Sequence, residues 1–172
     1  MDAPGSALIV PVRLPRTLES FRATHVPSAA LGIPAHITLI YPFLPAQPLD
    51  AAVRRSLVAC FARHGAFSFR AAGVHAWPGV LYLRVDPTEP FEALVATLVS
   101  AFPGHPPNSG EFPYVPHVTI AEAPARSMTS LAPPRADVHG RADRILLIAE
   151  GADGRWRTRW QFPLRAVGGI SA

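Results

Sequence analysis

Apolar and polar positions follow two different periods along this chain, and together they predict an α+β fold. A helical period predicts a short helix from Thr17 to His25 and two longer helices, for which Asp50 and Thr88 are the expected N-caps. Hairpin-like connections between neighbouring strands imply antiparallel pairing. Runs typical of strands lie at 7–12, 35–41, 67–74, 80–85, 115–121, 145–150 and 156–162.

The composition supports a folded protein with a sizeable core. The chain has 172 residues, of which 49% are hydrophobic and only 16% are charged. That length suits one ordinary domain. Its 20 prolines and 12 glycines exclude long uninterrupted helices and a coiled coil over most of the sequence.

Charge and cysteine content narrow the class further. The formal net charge is +4, and all 16 basic residues are arginines. One cysteine, Cys60, excludes a disulfide framework and lies in an apolar helical pattern that predicts a buried, inert thiol. The apolar run at 7–12 is too short to span a membrane. We therefore expect a soluble, cytoplasmic protein that makes no membrane contact.

The most specific feature is a repeated tetrapeptide. Residues 36–39 read His-Ile-Thr-Leu and residues 117–120 read His-Val-Thr-Ile, each within a predicted strand. Because residues two apart in a strand share a face, His36 and Thr38 point one way, and His117 and Thr119 repeat the arrangement. The repeat suggests two similar halves whose central strands lie side by side.

Such a quartet fits acid–base chemistry at a phosphate. Two imidazoles that titrate near neutral pH can accept a proton on one side of a phosphorus atom and donate one on the other. Two threonine hydroxyls can hold the non-bridging oxygens. The spacing predicts a phosphoester hydrolase or cyclase that needs no metal and no other cofactor. The remaining histidines show no spacing typical of metal ligands.

The two motifs resemble the signature of the 2H phosphoesterases, which include bacterial 2′-5′ RNA ligases and 2′,3′-cyclic phosphodiesterases. Residues 31–43 are similar to the first-motif region of the ligase-like branch, and residues 106–117 to its approach to the second motif. Element order agrees over about 7–164. One departure is Ala121-Glu122, where some members have an arginine.

The resemblance implies one bilobal α+β domain over residues 1–172, with two antiparallel sheets, outer helices and a central groove. It implies that His36 and His117 form the acid–base pair and that Thr38 and Thr119 bind phosphate. The expected reaction opens 2′,3′-cyclic phosphates of RNA ends or nucleotides to 2′-phosphates, and some members join RNA ends through 2′-5′ linkages. We expect the protein to act as a monomer.

Several points stay open from the residues alone. Tyr41 and Phe43, just after the first motif, and Trp77, in the turn after residue 74, are candidates to contact substrate. Arg155, Arg157 and Arg159 form either a solvated outer face or a track for an RNA backbone. Alternative functions are a non-catalytic nucleotide- or RNA-binding module and a cyclic phosphodiesterase for a small metabolite, such as ADP-ribose 1″,2″-cyclic phosphate.

Overall fold

The structure, a computed structural model, describes residues 5–124, 127 and 130–166. Parts of the predicted 1–172 domain (1–4, 125–126, 128–129 and 167–172) lie outside the described residues. The described helices are α1 (Arg16–His25), α2 (Pro27–Ala30), α3 (Ala51–Phe61) and α4 (Glu89–Ala101), with a 3₁₀ turn at Pro107–Gly110. The strands are β1 (Ser6–Pro11), β2 (His36–Ile40), β3 (Phe67–Trp77), β4 (Val80–Asp86), β5 (His117–Glu122), β6 (Asp137–Ala142), β7 (Arg144–Glu150) and β8 (Trp156–Pro163).

The described strands form two four-stranded antiparallel sheets, which confirms the predicted α+β class. The first sheet has the order β2-β1-β7-β8 and the second has the order β5-β4-β3-β6. The two motif strands, β2 and β5, therefore lie at the edges of their sheets, whereas the repeat suggested central strands. They contact each other across the junction of the two sheets. Strand β5 also contacts α1, and β2 contacts α4.

Strand β6 has no counterpart in the sequence prediction. Its sequence, Asp-Val-His-Gly-Arg-Ala, lacks the β-branched alternation that marks the other strands, and only Val138 and Ala142 are buried. It is held by pairing along β3, where Gly140 lies opposite Phe69. The ring of Phe69 occupies the space that a Cβ at position 140 would need. Tertiary packing, not local propensity, forms this strand.

The two long helices begin differently. The Asp50 carboxylate accepts hydrogen bonds from the backbone N–H groups of Ala52 and Val53, both at 2.9 Å, and so caps α3 as predicted. The Thr88 side chain makes no capping bond, so the predicted side-chain cap of α4 is wrong. The backbone of Thr88 is already helical, and the Thr88 carbonyl accepts the first hydrogen bonds of the helix.

Strand β1 is buried on both faces, and this places it at the centre of the molecule. Leu8 and Val10 belong to the main core, which joins the two sheets and the helices. Ala7 and Ile9 face the other way and form a smaller cluster with Leu146 and Ile148 of β7. Among the described residues, no helix is both long and apolar enough to cross a membrane.

The turn that leads into β2 depends on a glycine. Gly32 has φ +100°, and a Cβ at this position would lie 2.7 Å from the Trp156 carbonyl oxygen. The neighbouring Leu31 carbonyl accepts a hydrogen bond from the Trp156 N–H at 2.8 Å, which ties this turn to β8. The turn just before β2, the strand that carries the first histidine motif, is thus held against β8.

We expect Gly32→Ala to destabilise the fold by about 1–3 kcal/mol, because alanine is strained at this φ and its Cβ meets a backbone oxygen. Thermal denaturation measures the effect. Gly104→Ala is the control, since a Cβ at position 104 meets nothing within 4 Å. Equal melting temperatures for the two variants would contradict this account of the turn.

Candidate active site

The two motif strands present their histidines and threonines on one face, as the alternation predicts. His36 and Thr38 on β2 are partly exposed, and so are His117 and Thr119 on β5. The residues between and after them have 0% exposure and anchor both strands in the core (Ile37, Leu39, Val118 and Ile120). Burial of these apolar residues fixes the side to which the polar ones point.

The His36 ring is held by its own chain. Its Nδ1 lies 2.8 Å from the Pro34 carbonyl oxygen, and its Nε2 lies 3.1 Å from the Thr38 hydroxyl. Because a carbonyl can only accept, Nδ1 must carry the proton in the neutral ring. Nε2 then has the lone pair and accepts from the Thr38 hydroxyl. This ring is in the form that can take a proton from a substrate or water.

His117 repeats the arrangement in the second motif. Its Nδ1 donates to the Val115 carbonyl oxygen at 2.7 Å, so its Nε2 is also the nitrogen available for proton transfer. Aromatic rings support it from the side. The Trp77 and Tyr82 ring centroids lie 4.7 Å and 5.5 Å from that of His117, both in edge-to-face geometry.

Both histidines are biased toward the neutral form. Burial, together with the positive charges of Arg22 and His117, lowers the pKa of His36 to about 4, against the opposing effect of its bond to the Pro34 carbonyl. Burial also lowers the pKa of His117. A bound anion would favour the charged imidazolium and raise both pKa values.

A cavity of about 370 Å³ brings the four motif residues together. Its apolar floor includes Ala7 and Ile148, from the buried central strands of the first sheet. The charged residues in its wall, besides the histidines, are Arg22 and Glu122. Other lining residues are Val26, Ser28, Ile33, Tyr41, Asn108 and Trp156.

A second, more apolar cleft of about 690 Å³ adjoins this cavity on the His117 side and shares His117, Thr119 and Asn108 with it. Trp77 and Phe112 are 37% and 68% exposed there, which is unusual for large aromatic side chains. The remaining lining is aliphatic or proline (Pro78, Val80, Pro113 and Val115).

The three aromatic candidates from the sequence have different positions. Tyr41 lines the cavity, is 51% exposed and lies edge-on to Trp156. Trp77 lines only the adjoining cleft, stacked on Tyr82. Phe43 is only 4% exposed and packs against Phe102 and His105 in the core. The structure therefore does not bring Phe43 to the site, because its side chain serves the core.

Sequence reasoning missed several residues at or beside the cavity, among them Arg22, Trp156 and Tyr114. Arg22 and Trp156 line it, and the Tyr114 hydroxyl donates to the Thr38 carbonyl oxygen at 3.0 Å. Burial raises the pKa of Tyr114, so this tie between the approach to β5 and β2 remains a neutral hydrogen bond. Arg22 lies four residues after Leu18 on the same face of α1, and this spacing could have indicated that Arg22 is buried with Leu18.

Other sequence predictions can be placed as well. Cys60 is buried as predicted, and burial raises the pKa of its thiol. In the final strand, a bulge falls at Arg159, and Arg157 pairs with Asp153 at 2.6 Å. Part of the proposed arginine track is therefore neutralised by a carboxylate. No cluster of three potential metal-ligating side chains occurs in the described ranges.

Comparison with known proteins adds a family and a fold. A model of the 2′-5′ RNA ligase superfamily matches residues 10–154. No curated protein matches significantly. A solved phosphoesterase structure aligns with a TM-score of 0.64 and 21% identity, over 95% of this chain and 99% of that one.

Structures of Escherichia coli LigT align similarly. The complex with 3′-AMP gives a TM-score of 0.62 at 20% identity, and the complex with NADP+ gives 0.60 at 21%. Each alignment covers 95% of this chain and 99% of LigT. At these identities the structural matches establish a shared two-sheet fold.

The lowered pKa of His36 predicts a pH-dependent stability. Its ordinary pKa of 6.5 applies to the unfolded chain, whereas the folded value is about 4. As pH falls through this window, the unfolded state gains the proton first, so stability is complete above pH ~6.5 and declines toward pH ~4. We expect about 1–3 kcal/mol of such loss from His36 alone.

Urea denaturation at pH 7 and pH 4.5 measures this loss in the wild type and in His36→Gln. The variant should lose less stability on acidification, since its side chain does not titrate. His75→Gln is the control, because that side chain is exposed. Equal losses in the wild type and His36→Gln would show that His36 has no depressed pKa.

Proposed function

The chain belongs to the 2′-5′ RNA ligase superfamily, and we propose that it is a phosphodiesterase that opens 2′,3′-cyclic phosphates of RNA ends or nucleotides. Family membership supports a phosphoesterase or ligase-type enzyme. The observation that carries the finer proposal is the convergence of His36, His117, Thr38 and Thr119 on one cavity, with both Nδ1 atoms tied to carbonyls.

The proposed reaction uses the two Nε2 atoms in opposite roles. One neutral imidazole takes a proton from water as its oxygen bonds to phosphorus. The bond from phosphorus to the 3′ oxygen breaks, and the other, protonated imidazole gives its proton to that oxygen. The products are a 2′-phosphate and a free 3′ hydroxyl. The imidazoles exchange roles in the reverse direction, which closes the ring and releases water. Joining of ends would be the forward step with a 5′ hydroxyl, in place of water, as the group that gives up its proton and bonds to phosphorus.

The substrate itself supplies the protonation state that this reaction needs. The surroundings of both histidines favour the neutral form. A phosphodiester anion beside them stabilises an imidazolium, so one proton can be held between the pair near neutral pH. The Thr119 hydroxyl would donate to a non-bridging oxygen, where negative charge accumulates. The Thr38 hydroxyl would do the same once its bond to His36 Nε2 is exchanged for one to the substrate.

A nucleoside is the substituent that the surroundings favour. The cleft beside His117 offers the exposed rings of Trp77 and Phe112, and Tyr41 lies on the cavity wall. Stacking on such rings is available to every base and gives little sequence preference. The LigT structures contain 3′-AMP and NADP+, which supports a nucleotide ligand here as well.

Two further properties complete the proposal. We propose one domain that acts as a monomer in the cytoplasm, consistent with a single buried cysteine. The open junction between the cavity and the apolar cleft favours a nucleotide or RNA end over a compact metabolite. A binding module that turns nothing over would keep the same cavity, and the next experiment separates it from an enzyme.

We expect His36→Ala and His117→Ala each to lower turnover of a 2′,3′-cyclic nucleotide by about 10²–10⁴-fold, since each loses one proton-transfer partner. A nucleotide p-nitrophenyl ester separates the two roles, because its leaving group departs without a proton. The variant that lacks the general acid should therefore turn over this ester at nearly the wild-type rate. The variant that lacks the general base should remain slow with it.

Steady-state kinetics on both substrates provide the comparison, with His139→Gln as the control for loss of an exposed histidine. Full activity of either alanine variant on the cyclic nucleotide would overturn the paired mechanism. A wild-type protein that binds the nucleotide but converts neither substrate would instead be a binding module.

We expect Trp77→Ala to raise KM for a nucleoside 2′,3′-cyclic phosphate by about 10-fold or more relative to base-free ribose 2′,3′-cyclic phosphate, because a stacking surface is lost. The ratio of the two KM values isolates stacking from indirect effects on His117. Val58→Ala, which trims a 48% exposed apolar residue on α3, is the control. An unchanged ratio would show that the nucleobase does not bind in this cleft.

A further inference from the structure

Arg22 is the one charged residue among the buried side chains of the described ranges. It lies on α1 and is only 2% exposed. Burying a guanidinium costs free energy unless other groups compensate its charge, so arginines are rarely enclosed without a partner. Burial accordingly lowers the pKa of Arg22. The side chain remains a cation, and its position requires an explanation.

The contacts of Arg22 compensate its charge only in part. Its Nη2 donates to the Ile33 and Pro34 carbonyl oxygens at 3.0 Å and 3.1 Å. Its contact with a carboxylate is a long 3.4 Å approach of Nη1 to Glu19, whose side chain is 46% exposed. An ion pair of that length and exposure gives little free energy. A buried cation held mainly by carbonyls still favours an anion nearby.

The cavity that Arg22 lines is where such an anion would bind. The same cavity is lined by His36, Thr38, His117 and Thr119. Both histidines are biased toward the neutral form, so Arg22 carries the permanent positive charge in this wall. Glu122, the acidic residue in the lining, acts favourably on the Arg22 charge, but it is exposed and makes no hydrogen bond to Arg22, so water weakens its field.

Arg22 also contacts the atom that orients the first histidine. The Pro34 carbonyl oxygen accepts from Arg22 Nη2 at 3.1 Å and from His36 Nδ1 at 2.8 Å. Fixing this carbonyl fixes the ring. The corresponding carbonyl of the second motif, at Val115, accepts from His117 without an arginine donor among the described side chains. The two motifs, so alike in sequence, are therefore unequal in their support.

We propose that Arg22 provides the fixed positive charge for the phosphate group of the substrate and, through the Pro34 carbonyl, acts as a positioning residue for His36. The proposal rests on the proposed function in that the ligand is a phosphate ester. It adds a residue from outside both motifs. It also makes His36, not His117, the histidine that responds to this charge.

The test uses inorganic phosphate as the probe and the titration of both histidine rings by NMR. Arg22→Gln should weaken phosphate binding by about 10- to 100-fold, the usual effect of losing a charged hydrogen-bond donor. Without the neighbouring cation, the pKa of His36 should rise, while that of His117 should change less. Arg22→Lys should keep much of the phosphate affinity but hold the Pro34 carbonyl less well.

Arg16→Gln is the matched control, since it removes the same charge from an exposed position on the same helix. It should leave phosphate binding and both histidine titrations unchanged. Thermal denaturation identifies a variant that fails to fold, and Arg22→Lys then supplies the test. Wild-type phosphate affinity together with an unmoved His36 titration in a folded Arg22 variant would overturn the proposal.

Failure of the proposed function would look different. Phosphate binding that depends on Arg22, in a protein that hydrolyses no cyclic phosphate, would leave the role of Arg22 intact and remove the enzymatic proposal. Cyclic-phosphate hydrolysis that is equally fast without Arg22 would support the enzymatic proposal and remove the role proposed for Arg22.

Discussion

A hydrogen bond from each histidine Nδ1 to a backbone carbonyl two residues earlier fixes what the candidate site can do. The bonds to Pro34 and Val115, at 2.8 Å and 2.7 Å, select the same tautomer in both rings. In the neutral ring each Nε2 is thereby the nitrogen without a proton, and that of His36 accepts from the Thr38 hydroxyl. Because these carbonyls belong to the segments just before β2 and β5, the chemistry depends on how those segments enter their strands.

The rest of the fold holds these two segments in place. Both motif strands are edge strands, anchored by fully buried residues such as Ile37 and Val118, and they meet where the two sheets join. Tyr114 connects the approach to β5 with β2 through the Thr38 carbonyl. An edge strand exposes backbone groups that usually need cover, and here the two motif strands contact each other, with α1 beside β5 and α4 beside β2.

Local sequence predicted those features that depend only on residues close together along the chain. The His-x-Thr repeats, the Asp50 cap and most strands were predictable, because alternation and capping act over a few residues. Strand β6, the edge position of the motif strands and the burial of Phe43 were not, because each depends on distant partners such as Phe69 and Phe102. Arg22 was missed for a related reason: a charged helix residue is normally expected in solvent.

Proton transfer by two histidines at one phosphate should be sufficient for the reaction. The most direct measurement is ³¹P NMR of a nucleoside 2′,3′-cyclic phosphate incubated with the protein after treatment with EDTA. We expect complete conversion to the 2′-phosphate, at a rate that the chelator does not change. Activity that disappears with EDTA and returns with a divalent cation would contradict it.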